Sequence, residues 1–161
     1  MQHKYIACDP ELCTGCQLCE FACSAEKEGE FNLELSRIRT VRPELATMMS
    51  IACRQCEDPP CMAACPRHAL STNEANGTIL LDKVRCVGCG WCIEACDFGA
   101  IALDSRCKLI VICDLCSGLS QPRCIEICPQ KALSLSTAEE VAQRARDRTV
   151  SRECHSTTAA T

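Results

Sequence analysis

Sixteen of the nineteen cysteines in this 161-residue chain fall into four tight quartets, and any fold open to it must gather them. The quartets are Cys13-Cys16-Cys19-Cys23, Cys53-Cys56-Cys61-Cys65, Cys86-Cys89-Cys92-Cys96 and Cys113-Cys116-Cys124-Cys128. The first and third follow C-x2-C-x2-C-x3-C, a run that gives three thiolates to one [4Fe–4S] cluster and its fourth to a neighbour. The second and fourth widen one gap, and each ends on a proline, Pro66 and Pro129. Three cysteines spaced this closely can bend around one face of a cube, but the next in sequence cannot reach the opposite corner. A second motif must complete each cage. Sixteen thiolates supply four [4Fe–4S] clusters with none left over, and that is the cofactor set expected.

Three other uses of cysteine compete with this one. A cysteine-dense short chain often carries a disulfide scaffold. Here the count is odd, no secretory signal is visible and the thiols are crowded, all against that use. Structural zinc also uses C-x2-C pairs. Zinc ribbons bring two separated pairs, however, not triplets with a trailing fourth. Thioredoxin-like chemistry needs a βαβ context that surrounds none of these pairs.

Aromatic residues make up only 3% of the chain, so few large side chains can fill a core. Small domains in that position rely on metals or cross-links, and the apoprotein is expected to be largely unfolded. The net charge of −4 and the lack of a basic stripe exclude nucleic acid as a partner. The longest aliphatic run, Leu109-Ile110-Val111-Ile112, is too short to span a bilayer. The N-terminus shows neither an apolar leader core nor a twin arginine, so the cytoplasm is the expected compartment.

The chain repeats itself. Residues 13–23 and 86–96 share their cysteines, a glycine (Gly15 and Gly88) and the alanine before the last cysteine (Ala22 and Ala95). The widened quartets are followed by matching segments, Pro66-Arg67-His68-Ala69-Leu70 and Pro129-Gln130-Lys131-Ala132-Leu133, with a looser copy at Asp97-Phe98-Gly99-Ala100-Ile101. Such repetition implies two duplicated two-cluster units in an α+β fold. Asn76-Gly77, between Leu70-Ser71 and Thr78-Ile79-Leu80-Leu81, predicts a hairpin, with Ile101-Ala102-Leu103 as the returning strand of that unit. Leu35 to Val41 alternates as a strand would. Short helices are predicted from Glu20 and from Ile93, and Gly15 and Gly88 supply the positive φ that a ligand loop demands. Thr137-Ala138-Glu139-Glu140 reads as a capping box opening a C-terminal helix to about Thr149, with Glu140 and Arg144 paired at i,i+4. That helix packs either on its own domain or on a partner. The end from Ser151 to Thr161 is expected to fray.

The order of the quartets, with Cys113-Asp114-Leu115-Cys116, Cys124-Ile125-Glu126-Ile127-Cys128-Pro129 and Leu35-Ser36-Arg37-Ile38, resembles the polyferredoxin electron-transfer subunits paired with molybdenum or tungsten oxidoreductases. Similar subunits serve carbon monoxide dehydrogenases and hydrogenases. The resemblance covers residues 5 to about 136 and is best at the small subunits of carbon monoxide dehydrogenase or tungsten-type aldehyde oxidoreductase systems. It implies a cross-ligation: Cys13, Cys16 and Cys19 with Cys128; Cys113, Cys116 and Cys124 with Cys23; Cys53, Cys56 and Cys61 with Cys96; Cys86, Cys89 and Cys92 with Cys65. One bacterial-ferredoxin-like unit (residues 44–105) is then nested within a pseudo-symmetric outer one (1–43 and 106–136), followed by a helical tail (137–161). Ser24 and Asp97 stand where two-cluster ferredoxins place proline.

The implied function is relay of single electrons between a catalytic oxidoreductase subunit and an acceptor or flavoprotein subunit, with no catalytic residue in this chain. The competing readings are a freely diffusing polyferredoxin and a zinc-bound scaffold. Head-to-tail association of copies is a further expectation. Cys8 and Cys107 are expected to be buried small hydrophobes and Cys154 a free thiol. His3, His68 and His155 are not needed as ligands. Trp91 is expected either to shield a cluster or simply to pack.

Overall fold

The computed structural model describes residues 3–44 and 47–158, with side chains through 153. Its elements are short because ligand loops interrupt the chain every ten or so residues. In order they are β1 (Tyr5–Cys8), α1 (Leu18–Glu28), a 3₁₀ turn (Leu33–Leu35), β2 (Ile38–Glu44), β3 (Thr47–Ala52), α2 (Pro60–Ala63), β4 (Leu70–Thr72), β5 (Ile79–Leu81), α3 (Trp91–Glu94), β6 (Ala102–Asp104), β7 (Leu109–Val111), α4 (Arg123–Glu126), β8 (Leu133–Ser136) and α5 (Ala138–Thr158). The result is a mixed fold of helices and small sheets.

The strands form four antiparallel pairs: β1 with β8, β2 with β3, β4 with β5, and β6 with β7. The first pair joins the two ends of the cysteine-bearing region, Tyr5 opposite Ser136 and Cys8 opposite Leu133. The predicted hairpin forms as β4–β5, Leu70 facing Leu81. Its connection is longer than an Asn-Gly dipeptide: Gly77 at φ 72 donates its N–H to the Asn73 carbonyl, and the Asn73 and Asn76 side chains each accept from an N–H two residues on. The segment at 101–103 departs from expectation. It forms β6 and pairs with β7, Leu103 opposite Ile110, because the turn after Asp104 brings the aliphatic run of 109–112 back beside it. The strand expected from Leu35 begins three residues later. Its partner β3, which sequence did not announce, faces it with Thr40 directly opposite Ser50.

Cysteines make up much of the core. The central buried group is Ile6, Ile38, Ala52, Leu70, Ile79, Ala100, Ile101, Ile110, Ile112 and Leu133, together with seven cysteines: 19, 23, 53, 61, 92, 113 and 124. Polar side chains tie the loops across it. Gln55 is 1% exposed; its amide donates to the Cys113 carbonyl at 2.7 Å, and its carbonyl accepts the Ile79 N–H at 2.7 Å. Arg54 lies over the rings of both Tyr5 (4.4 Å) and Phe98 (5.2 Å). Asp114 pairs with Lys27 and Arg37, whose charges hold its carboxyl below the usual range against the burial that would raise it.

The C-terminal helix packs on its own domain. Thr137 and Glu140 form the reciprocal capping box, so the Glu140 carboxylate is taken by the Thr137 N–H. Arg144 accordingly turns away from it to the Ser134 and Ser136 hydroxyls (2.8 and 2.7 Å). Arg148 reaches Asp9 at 2.7 Å and Arg152 reaches Glu11. The helix runs past Thr149 to Thr158. With so little apolar surface beneath it, these arginines are its attachment. We expect Arg148→Ala to change global stability by less than about 1 kcal/mol, as exposed ion pairs do, while tryptic cleavage at Arg144 and Arg146 speeds up. Unchanged cleavage would mean that the arginine stripe is not what holds the helix.

Candidate iron–sulfur sites

The ligand loops share a design: a short turn, then a helix that begins at or just before the third cysteine of its quartet. In the first and third quartets the turn is left-handed at Gly15 (φ 67) and Gly88 (φ 64). The widened quartets use non-glycine residues there, Gln55 at φ 49 and Leu115 at φ 56. Helices α2 and α4 open directly after Pro59 and Pro122, so each widened gap ends at a proline-marked helix start.

These turns bring thiols from different quartets to common cavities. Cys13, Cys16 and Cys19 line one of about 330 Å³ with Cys128. Cys86, Cys89 and Cys92 line another of about 300 Å³ with Cys65. Cys53, Cys56 and Cys61 line a third, more open and about 940 Å³, with Cys96. The remaining four, Cys23, Cys113, Cys116 and Cys124, are all buried, and the charges of Cys23 and Cys116 repel that of Cys124. Among the described residues, no three His, Cys, Asp or Glu side chains close on a point as a single ion would require. The thiols surround volumes.

Electrostatics tests whether this donor set fits a cluster. Burial, followed by repulsion from Cys61, Cys56 and Cys96, pushes Cys53 up to about 12. Burial does most of the same to Cys92, up to about 11. Cys113 and Cys124 are driven above the thiol range, by burial first and then by neighbouring thiols. Metal ligands must be thiolates, and thiolates this crowded and dry need a cationic centre among them. Soft sulfur in sets of four around a cavity fits an iron–sulfur group.

Contacts between sites give an order. Cys19 lies close enough to Cys124, Cys53 to Cys113, and Cys61 to Cys92, for their charges to repel. The cavities therefore succeed one another from that of Cys13 to that of Cys89. Cys16 and Cys89 are the exposed quartet members.

Sulfur atoms also accept hydrogen bonds. The N–H groups of Arg37, Gln55, Ala69 and Ala100 donate to Cys23, Cys53, Cys65 and Cys96 at 3.3–3.4 Å. Sequence gave no sign of Gln55, nor of the hydroxyls of Thr40 and Ser50 beside Cys19. Their partners lie twenty to sixty residues away. Three expectations fail. Cys107 is exposed rather than buried, because it sits in the β6–β7 turn. Cys8 is only half-buried and lies beside Cys13 and Cys19, where burial pushes it up to about 12 despite the Ser50 N–H. Trp91 opens α3 with 58% of its surface exposed, so it does not pack in the core. The side chains of Cys154 and His155 lie outside the described residues.

The 4Fe–4S dicluster domain family matches residues 45–138. Over 124 residues the chain is 40% identical to the polyferredoxin-like subunit of the aliphatic sulfonate oxidoreductase of Pyrococcus furiosus, covering 77% of this chain and 70% of that one. It is also 40% identical to YsaA of Escherichia coli, named as an electron transport protein, over 86% of this chain and 93% of that one. Among solved structures, a chain of the active-site complex BamBC of benzoyl-coenzyme A reductase superposes with a TM-score of 0.53 at 24% identity, over 100% of this chain and 99% of that one. No helix among the described residues is long and apolar enough to cross a membrane.

Proposed function

We propose, from the premise that this chain belongs to the 4Fe–4S dicluster family, that its sixteen quartet cysteines hold four [4Fe–4S] clusters linking a catalytic subunit to an electron acceptor. The chain is an iron–sulfur electron-transfer subunit of the oxidoreductase type, as its relatives are. The observation that carries the fourfold reading is the lining of the three cavities: each takes three cysteines of one quartet and the trailing cysteine of another. Cys13, Cys16, Cys19 and Cys128 would hold the first cluster, and Cys23, Cys113, Cys116 and Cys124 the second. Cys53, Cys56, Cys61 and Cys96 would hold the third, and Cys65, Cys86, Cys89 and Cys92 the fourth. When bound, such groups supply reversible one-electron chemistry.

The rest is the work of the polypeptide. The loops fix the spacing, the N–H groups stabilise negative charge on sulfur, and the buried core keeps water from the inner sites. On this reading the pairing of β1 with β8 closes an outer two-cluster unit around an inner one. The junctions near residues 44 and 105 are hairpins, β2–β3 and β6–β7, shared between the two. Electrons enter and leave where Cys16 and Cys89 meet the surface.

The favoured catalytic partner is a molybdenum or tungsten oxidoreductase, the class whose subunits the quartet order resembles; the Pyrococcus furiosus relative is named as a subunit of an oxidoreductase. High-salt gel filtration of the anaerobically purified native protein tests this. Co-elution with a subunit carrying stoichiometric molybdenum or tungsten is the expected result. Elution as a lone monomer would instead favour a diffusing carrier.

A further inference from the structure

The β2–β3 hairpin lies over the first ligand loop. Met48 packs against Gly15, where an added Cβ would stand 2.4 Å from its sulfur, and Arg42 donates to the Gly15 carbonyl at 3.2 Å. Beneath that cover the cross-strand pair of Thr40 and Ser50 points at sulfur. The Ser50 hydroxyl lies 3.5 Å from Cys19 Sγ and 3.9 Å from Cys13 Sγ. Thr40 Oγ1 lies 3.3 Å from Ser50 Oγ and 3.8 Å from Cys19 Sγ. Ser50 is 4% exposed, and its backbone N–H is anchored on Cys8 Sγ at 3.3 Å, which holds the serine at this register.

The direction of these bonds follows from chemistry. A thiolate ligand has no proton to give, so on sulfur the hydroxyls can only donate. Ser36, beside Cys23, is differently placed: its hydroxyl donates to the Ile38 carbonyl at 2.7 Å. The other three ligand sets receive the backbone N–H groups described above, at Cys23, at Cys53 and Cys96, and at Cys65. The pair Thr40–Ser50 therefore adds hydroxyl donors to a site whose neighbours rely on the main chain.

We propose that Ser50, oriented by Thr40, donates a hydrogen bond to Cys19 and thereby raises the reduction potential of the cluster held by Cys13, Cys16, Cys19 and Cys128. Reduction adds negative charge that spreads onto the ligand sulfurs, and a donor aimed at sulfur stabilises the reduced form more than the oxidised form. Electrons then collect at this end of the series. Ser50 and Thr40 are positioning and tuning residues and touch no substrate. The inference rests on the four-cluster reading, and its test is kept separate from it.

The test is an EPR-monitored redox titration of the iron-loaded chain. The unaltered protein must first show four reducible centres, which concerns the four-cluster reading alone. Ser50→Ala is expected to make one centre about tenfold harder to reduce, about 59 mV lower for a one-electron couple, with the other three unmoved. Thr40→Val, close in shape, is expected to lower the same centre by a smaller amount. In the unaltered protein, proton ENDOR of that reduced centre should show a strongly coupled proton that is lost in deuterium oxide and absent in Thr40→Val or weakened there. Four unchanged potentials in Thr40→Val, with no such exchangeable coupling in the unaltered protein, would overturn the proposal even if Ser50→Ala fails to assemble.

Discussion

Replacing Gly88 with alanine is expected to strip one cluster from the chain, lowering bound iron by about four atoms per chain, and to cut the path to Cys89. The reason is local and severe. Gly88 sits at φ 64, and a Cβ there would stand 1.9 Å from the Lys108 carbonyl oxygen and 2.9 Å from its carbon. That neighbour is backbone, held in the β6–β7 turn by the Lys108 N–H bond to Asp104 at 2.8 Å. Left-handed strain and forced overpacking together amount to about 2–5 kcal/mol, enough to displace a loop carrying three ligands. Gly90→Ala is the control from the same loop. It has φ 85 but nothing within 4 Å of the added carbon, so it incurs strain without a clash and should keep its iron. Gly15→Ala falls between, since the obstructing atom is the sulfur of Met48, the end of a flexible side chain. Iron analysis of the three purified variants checks the order. Full iron in Gly88→Ala would remove the physical basis claimed for that loop.

Iron removal is expected to unfold most of the chain. Seven of the seventeen residues in the central buried group are cysteines, and aromatic side chains are absent from it. The sheets have two strands each, several of only three residues, and such pairs are marginal alone. What remains after iron leaves is a set of buried thiols around empty volumes, with too little apolar contact to offset chain entropy. Binding energy at sites of this type is folding energy. Far-UV circular dichroism before and after anaerobic treatment with acid or a chelator should show loss of most ordered signal, with α5 the last helical remnant. A native-like spectrum in the apoprotein would mean that the polypeptide core suffices.

The parts of the molecule legible in its sequence are those written in local spacing. The quartets, the glycines at 15 and 88, the hairpin near Asn76-Gly77 and the capping box at Thr137 all depend on residues within a turn or two of each other. The pairing of β6 with β7 is not legible in the sequence because Ile101-Ala102-Leu103 is equally apolar on the way to either partner. The choice depended on the turn at Asp104. Gln55 and the Thr40–Ser50 pair were invisible for a related reason. Each acts on a group far along the chain, and β3 itself, Thr47–Ala52, carries no strong alternation. Trp91 shows the opposite failure. An aromatic between two ligands can read as core packing, yet as the first residue of a four-residue helix with Gly90 before it, Trp91 is mostly exposed. The arginines of α5 gave a charge pattern but not its target, because Asp9 and Glu11 lie some 140 positions away.

Iron and acid-labile sulfide, counted per chain on anaerobically purified protein together with low-temperature Mössbauer spectra, bear most directly on the central claim. Four cubanes require about sixteen of each, all in the spectral class of [4Fe–4S] centres. About eight of each, or zinc in their place, would contradict the assignment of the sixteen quartet cysteines.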